Sequence, residues 1–367
     1  MIKVKEFIKN ECVMLLSALL AVISSFIIPP DKQYISYVDF RTLALLFSLM
    51  VVMAGFSAMG IFSLMAQKLM KKAKSTRSLT AVLCLMCFFS SMVITNDVAL
   101  ITFVPFTVIA LKKADRTDRL IFTVCLETVA ANLGSMATPI GNPQNLFIFS
   151  SYGFNTAKFL TAVLPYTLLS FILILLCTLS VKKEGITADT HSEKSDISPV
   201  KAAVYAVLFV CALLSVFRVL DYRILLALAL VLILIFDRKI LLKVDYSLLF
   251  TFVFLFIFIG NLGRIPQISE FLKGTVSGNE VAAGILISQI FSNVPTAILL
   301  SGFTDNGAAL LTGVNLGGLG TLIASMASLI SFKFLQKEKV NAGRYLAVFT
   351  VMNIAFLSLN VLLAVIL

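Results

Sequence analysis

NLGSMATPIG (Asn132–Gly141) and NLGGLGTLIA (Asn315–Ala324) are two versions of one short pattern, far apart in the same chain. Asn132, Leu133, Gly134, Thr138 and Ile140 recur as Asn315, Leu316, Gly317, Thr321 and Ile323. Most of the remaining pairs are similar in size, as Ala137 is to Gly320. Each copy lies in apolar sequence long enough to form a helix, yet each carries residues that interrupt one. Gly134, Pro139, Gly141 and Pro143 break the first copy too thoroughly for a mild kink.

Upstream of each copy runs an apolar stretch with a polar interruption. Ser78–Leu111 is broken by Thr95-Asn96-Asp97, and Val281–Gly302 by Ser292-Asn293-Val294-Pro295-Thr296. The arm Val98–Leu111 reaches only roughly 21 Å as a helix at 1.5 Å per residue, and a bilayer core is about 30 Å thick. Both ends of the first stretch carry basic residues, so both lie on one side. The reading is a re-entrant hairpin at 78–111 followed by a broken helix at 120–150. A second hairpin at 279–302 is followed by a broken helix at 306–336. The order hairpin, broken helix, closing helix thus occurs twice.

Composition sets the solvent. Apolar residues make up 59% of the 367-residue chain and charged residues 13%, about half the charged share usual for water-soluble domains. Blocks such as Cys12–Ile28, Phe159–Val181, Val200–Phe217 and Tyr345–Leu367 approach or exceed the roughly 20 residues of a membrane-spanning helix. The Pro29-Pro30-Asp31 exit of the first block lacks a cleavage pattern, so that block is expected to stay as a helix. The net charge of +11 sits in the joints between blocks, the positive-inside pattern rather than a nucleic-acid footprint.

Charge then orients about nine transmembrane helices plus the two hairpins. The basic start (Lys3, Lys5, Lys9) is cytoplasmic. Helix two lies within 40–70, where Gly55 and Gly60 are expected to bend it, and ends at Lys68, Lys71, Lys72, Lys74 and Arg77. Lys112, Lys113, Arg116 and Arg119 mark the next cytoplasmic joint. Residues 1–181 form the first half, 182–199 a polar cytoplasmic linker containing the sole histidine, His191, and 200–367 the second half. A short amphipathic piece, Ile265–Lys273, precedes hairpin two. Lys333, Lys337, Lys339 and Arg344 mark a late cytoplasmic joint, and the C-terminus ends outside. The second repeat is therefore inverted relative to the first, in an all-α polytopic protein of the cell inner membrane.

Paired interrupted segments in two halves point to a transporter's binding site. Broken helices leave unpaired backbone groups that are costly in lipid unless protein, water, ion or substrate meets them. Half-helix N-termini suit an anion; exposed carbonyls and the oxygens of Thr95, Asn96, Ser292 and Asn293 suit a small hard cation such as Na⁺. Close helix packing explains Gly317, Gly318 and Gly320 nearly as well. It does not explain Asn96, Asp97, Asn142, Asn145 and Asn293 at membrane depth. Asp97 is an intramembrane carboxylate, expected to bind Na⁺, carry a proton or reject the wrong substrate. Glu127 is expected to pair with Arg116 or Arg119, or to accept a hydrogen bond. The six cysteines sit in apolar helices as small core residues; the Cys84–Cys87 pair lacks a second ligand pair for metal.

VITNDVALITFVPF (Val93–Phe106), SMATPIGNPQN (Ser135–Asn145) and SQIFSNVPTAILL (Ser288–Leu300) resemble the ion transporter superfamily. That group holds divalent anion/sodium symporters, citrate permeases, arsenite permeases and some sodium/proton antiporters. The closest look is to short bacterial citrate-transporter-like anion permeases, over nearly the whole chain. The resemblance implies cation contacts from Ser91, Thr95, Asn96, Gly141, Ser292, Asn293 and Ala324. It implies substrate contacts from Asn96, Asp97, Asn142, Asn145, Asn293, Thr296 and Ser325. It also implies Na⁺ as a coupling ion, no other cofactor, and a homodimer. Asp97 and Val294 replace threonines of the sodium/dicarboxylate members, and an acid there repels a dicarboxylate unless it is protonated or holds a cation.

The expected function is secondary transport of a small anion coupled to Na⁺ or H⁺. An arsenite-type exporter and a Na⁺/H⁺ antiporter using Asp97 stay open. No HExxH, GxSxG, nucleotide loop or acid pair with a catalytic histidine supports an enzyme.

Overall fold

The long apolar blocks become long helices because a chain in lipid must satisfy its own backbone. The computed structural model describes residues 11–62, 64–65, 73–185, 198–338 and 340–367. Six of the described helices are long and apolar enough to cross a membrane. Large apolar side chains such as Phe26, Leu179, Ile235 and Val351 point outward, as a lipid-facing surface requires.

The chain opens with α1 (Cys12–Ile27), a short α2 (Gln33–Tyr37) and α3 (Phe40–Ala58). Helix α3 ends where Gly60 takes a left-handed φ of 68°, so Gly60 stops the helix rather than bending it. Gly55 stays helical, and its bare face receives the Tyr205 ring. Hairpin one is α4 (Thr76–Ile94) and α5 (Asn96–Lys113); broken helix one is α6 (Leu120–Ser135) and α7 (Pro143–Ser151); α8 (Thr156–Leu179) closes the half. The start of the expected linker is tied down. The Thr76 amide donates to Glu184 O at 2.8 Å and Arg77 Nε to Val181 O at 2.8 Å. His191, Lys68, Lys71, Lys72 and Lys339 lie outside the described residues, as does the start of the chain with Lys3, Lys5 and Lys9.

The second half brings α9 (Pro199–Val216), α10 (Tyr222–Phe236), α11 (Tyr246–Gly263) and the amphipathic α12 (Pro266–Val276). Hairpin two is α13 (Glu280–Phe291) and α14 (Asn293–Ser301). Broken helix two is α15 (Gly307–Leu316) and α16 (Met326–Lys337), and α17 (Ala342–Ile366) closes the chain.

The two halves repeat in atomic detail. Hairpin one turns at Thr95 (φ 70°, ψ 151°) and hairpin two at Ser292 (φ 70°, ψ 154°). A left-handed φ at a β-branched or hydroxyl residue costs on the order of 1–3 kcal/mol, so surrounding bonds must impose it. Those bonds are matched: the Asn96 amide donates to Gly141 O at 3.2 Å, and the Asn293 amide to Ala324 O at 3.0 Å. The Thr138 hydroxyl donates to Met92 O, as Thr321 does to Gln289 O at 3.1 Å. Each hairpin tip is therefore stitched into the break of its own half. That fixes the depth of the tip in the first half, since the nine residues of α7 still extend beyond it for roughly 14 Å. Length alone misleads here, because α4 with 19 residues could cross by itself.

Glycines set the close approaches. A Cβ on Gly134 would lie 2.1 Å from Phe88 O, and one on Gly317 would lie 2.7 Å from Gly284 O and from Ser288 Oγ. Both glycines press a broken helix onto its hairpin, at Ser91 in one half and Ser288 in the other. We expect Gly134→Ala and Gly317→Ala each to destabilise the protein by about 1–3 kcal/mol through overpacking against backbone. Gly274→Ala, which meets nothing within 4 Å, should be neutral or stabilising by up to about 1 kcal/mol. Thermal unfolding in detergent followed by size-exclusion fluorescence checks this; equal midpoints for all three variants would contradict the packing.

Candidate functional site

Each break leaves a helix N-terminus pointing into the protein, and the chain brings these ends together. One cavity of about 250 Å³ is lined by Asn96 and Asp97, Pro143 and Gln144, Asn293 to Pro295, and Ser325 with Met326. These are the opening residues of α5, α7, α14 and α16. The first turns of α1 (Glu11, Val13, Met14) and α11 (Asp245, Ser247, Leu248) complete the wall. Six helices thus present N-terminal amides and the positive ends of their dipoles to one space.

Three carboxylates share that wall: Glu11, Asp97 and Asp245. Each sits at the N-terminus of its own helix. Asp245 caps α11 by accepting from the Leu248 amide at 3.0 Å. Glu11 holds the cap position of α1 and Asp97 the first turn of α5. Asp97 Oδ1 is buried with no hydrogen-bond partner, in contrast to Asp245, which is exposed at the mouth. Asp97 also lines a second, more apolar cavity of about 350 Å³ between α3 and hairpin one, with Lys243 at its edge.

Behind the cavity an asparagine lattice crosses between the halves. Asn142, in the first break, donates to Asn315 Oδ1 at 3.2 Å. Ser325, in the second break, donates to Asn132 Oδ1 at 3.0 Å. Because Asn132 and Asn315 are repeat mates, as are Asn142 and Ser325, the two bonds are one bond made twice. Asn96 Nδ2 adds a donor to Asn132 Oδ1 at 3.0 Å.

The residues singled out from sequence divide into three groups. Asn96, Asp97, Asn293, Ser292 and Ser325 line the first cavity, and Thr95, Asp97 and Asn142 the second. Gly141 and Ala324 stand beside the tips, but their carbonyls already accept from the Asn96 and Asn293 amides. Asn145, Thr296 and Ser91 face inward instead. Asn145 Nδ2 donates to the carbonyls of Ser135, Met136 and Thr138, and its Oδ1 accepts from Asn315 at 2.7 Å. It satisfies the carbonyls that the first break exposes. The Thr296 hydroxyl donates back to Ser292 O, and that of Ser91 to Phe88 O.

Glu127 does not pair with arginine. Thr107 donates to its Oε1, while Arg116 pairs with Glu184 and Arg119 with Asp118. Sequence reasoning missed Glu11, Gln144, Asp245 and Thr251. Asp245 carries the one legible signal, an acid immediately before an apolar run, which reads as a helix cap; nothing local shows that this cap meets the hairpin tips.

A second opening lies at the far end of the same seam. Helices α7, α11 and α14 begin at the first cavity, and their later residues Phe147, Ser151, Phe256, Ile259, Ile298 and Ser301 line a cavity of about 430 Å³. Between the two stand Phe147, Phe252 and Phe256, with ring centroids 5.8 to 6.0 Å apart.

Comparison with known proteins gives a consistent set of relatives. A family model described as a citrate transporter matches residues 2–316. An uncharacterized transporter of Methanocaldococcus jannaschii is 36% identical over 314 residues, 85% of each chain. The inner membrane protein YbiR of Escherichia coli is 28% identical over 325 residues, 86% of each chain. Among solved structures, the YdaH transporter of Alcanivorax borkumensis superposes with a TM-score of 0.58. That match covers 91% of this chain and 87% of that one at 14% identity, a likeness of fold.

The asparagine lattice makes a stability prediction. Asn142→Ala and Asn315→Ala should each cost about 1–3 kcal/mol, because each strands a buried amide. A double-mutant cycle on unfolding should show positive coupling for Asn142 with Asn315, and none for Asn142 with the distant Asn360. Strict additivity of the first pair would remove the bond from the account.

Proposed function

The chain belongs to the citrate transporter family, and from that premise we propose that it carries a small anion together with Na⁺ or H⁺ through the acid-lined cavity. It is a multi-pass membrane protein and a secondary transporter of that family. The observation that carries the finer reading is the convergence of six helix N-termini on one space. Each end is worth about half a positive charge, so together they supply roughly +3. Glu11, Asp97 and Asp245 oppose this with up to three negative charges.

The balance is close to neutral, which supports coupling to a cation. An anion entering with all three acids ionised brings uncompensated negative charge into a low-dielectric space. Neutralising Asp97, by a proton or a bound Na⁺, restores the balance. Asp97 suits this role because its Oδ1 has no partner to lose. Asn96, Asn293 and Ser325 would orient the anion. The tip oxygens, with the second lone pairs of the Gly141 and Ala324 carbonyls, would hold the cation. Citrate is one anion to try, and smaller oxyanions need less compensation.

The site is placed in the inner membrane with the first cavity open to the cytoplasm and the C-terminus outside. In support, the hairpin-one ends, Arg116, Glu184 and Glu338 meet at one end of the molecule, where the basic joints gather. A homodimer belongs to the proposal as the assembly implied by the resemblance.

Proteoliposome flux tests the reading, with citrate, succinate, phosphate, sulfate and arsenite supplied one at a time, with and without a Na⁺ or pH gradient. We expect uptake of at least one anion, accelerated by an inward cation gradient. Asn96→Ala and Asn293→Ala should each lower it about tenfold or more, a loss of roughly 1.4 kcal/mol of binding or barrier. Asp97→Asn should abolish the acceleration while leaving basal flux. Cation exchange with no anion flux would make the protein an antiporter instead, and normal uptake by both asparagine variants would dismiss the site.

A further inference from the structure

We propose that Glu127 is a proton-binding site inside the first repeat, separate from the cavity and neutral in the conformation seen here. Glu127 lies in the middle of α6, fully buried, where α6 packs among α4, α5, α8, α16 and α17. Thr107 of α5 donates to Oε1, and Oε2 has no hydrogen-bond partner. A bare carboxylate in this position would be uncompensated in a low-dielectric interior, and the group escapes that cost by holding a proton.

The surroundings extend the site. Thr80 Oγ1 on α4 and Thr123 Oγ1 on α6 are also buried without partners. Thr123 lies one turn before Glu127 on the same face of α6, and Thr80 one turn before Cys84 on the face of α4 that meets it. Three orphaned polar groups along one interface mark a place where water or a proton is held. The line runs toward the end of the bundle where α4 and α6 both begin, and so toward solvent.

The titratable neighbours are few. Cys84 and Cys87 face Glu127 from α4. Cys177 of α8 reaches Cys84, and Tyr345 of α17 sits with Cys125 and Thr128 on another face of α6. A proton needs a single lone pair on Oε2, whereas a hard cation such as Na⁺ needs a shell of several oxygens gathered around it; the proton is the ligand the site is proposed to hold. The site is also one-sided. Counting back from Asn315 as from Asn132, the second repeat places Leu310 where the first has Glu127. The asparagine lattice is made twice and this carboxyl once, so it serves something the repeat geometry does not require. Its use as a source of coupled protons rests on the transport reading; its protonation does not.

The test needs no substrate. Protein reconstituted in lipid should show a protonated-carboxyl carbonyl stretch in infrared spectra at neutral pH. The band should shift in D₂O within minutes, bleach on an alkaline jump, vanish in Glu127→Gln and persist in Asp97→Asn. Thr107→Val, which keeps the carboxyl, should move the band to higher frequency and serves if Glu127→Gln fails to assemble. An unchanged spectrum in Glu127→Gln overturns the proposal. So does a band that neither exchanges nor titrates, or one that NaCl bleaches and KCl does not. Because no anion is present, any of these outcomes is separate from failure of the transport assay.

Discussion

The constraint everything else obeys is that a helix cannot stop inside lipid unless something answers its backbone. Here the answer is a pair of amide-to-carbonyl bonds, Asn96 to Gly141 and Asn293 to Ala324, at 3.2 and 3.0 Å. Each bond joins the tip of a hairpin to the break of the helix beside it. One bond thereby settles two problems: the hairpin has a reason to turn at a strained Thr95 or Ser292, and the broken helix has a partner for an exposed carbonyl. Asn145 absorbs three further carbonyls in the first break. The N-terminal ends of the helices, with the positive ends of their dipoles, are what the cavity is made from.

That arrangement explains why the site is both positive and acidic. The helix ends that border the cavity turn the positive ends of their dipoles toward it. Glu11, Asp97 and Asp245 then sit where donors and dipoles make a carboxylate cheapest. Two of them belong to helices outside the repeat cores, α1 and α11, and only Asp97 rides on a hairpin. Any movement of the hairpins against α1 and α11 would therefore change the separation of like charges. This would couple the charge state of Asp97 to conformation without a dedicated switch.

Much of the architecture was legible because repeats and breaks are written in residue types that have few other uses. The paired NLG motifs, the prolines at 139 and 143 and the polar tips pointed to a hairpin and a broken helix in each half. Packing partners were not legible. Asn145 and Thr296 share the composition of the site, yet their side chains turn inward, to carbonyls four to ten residues away in the chain. Asp245 and Glu11 enter from helices distant in sequence. For Glu127 the sequence left two partners open, the arginines at 116 and 119 or a hydrogen-bond donor; the helix carries it inward to the Thr107 hydroxyl, while both arginines find surface acids.

The departures from symmetry carry information that the symmetry itself cannot. Two matched halves suffice to build a cavity and a reciprocal lattice, since Asn142–Asn315 and Ser325–Asn132 are the same contact. A transporter assembled only from matched parts would present equivalent chemistry to both faces. This chain does not: Asp97 faces Val294 across the repeat relation, Asn142 faces Ser325, and Glu127 faces Leu310. Each replacement places the acid or the larger amide in the first half. At these matched positions the acids lie in the first repeat, and the other acids of the cavity, Glu11 and Asp245, come from α1 and α11 outside the repeat cores. The direction in which ions are taken up and released would follow from that imbalance rather than from the fold.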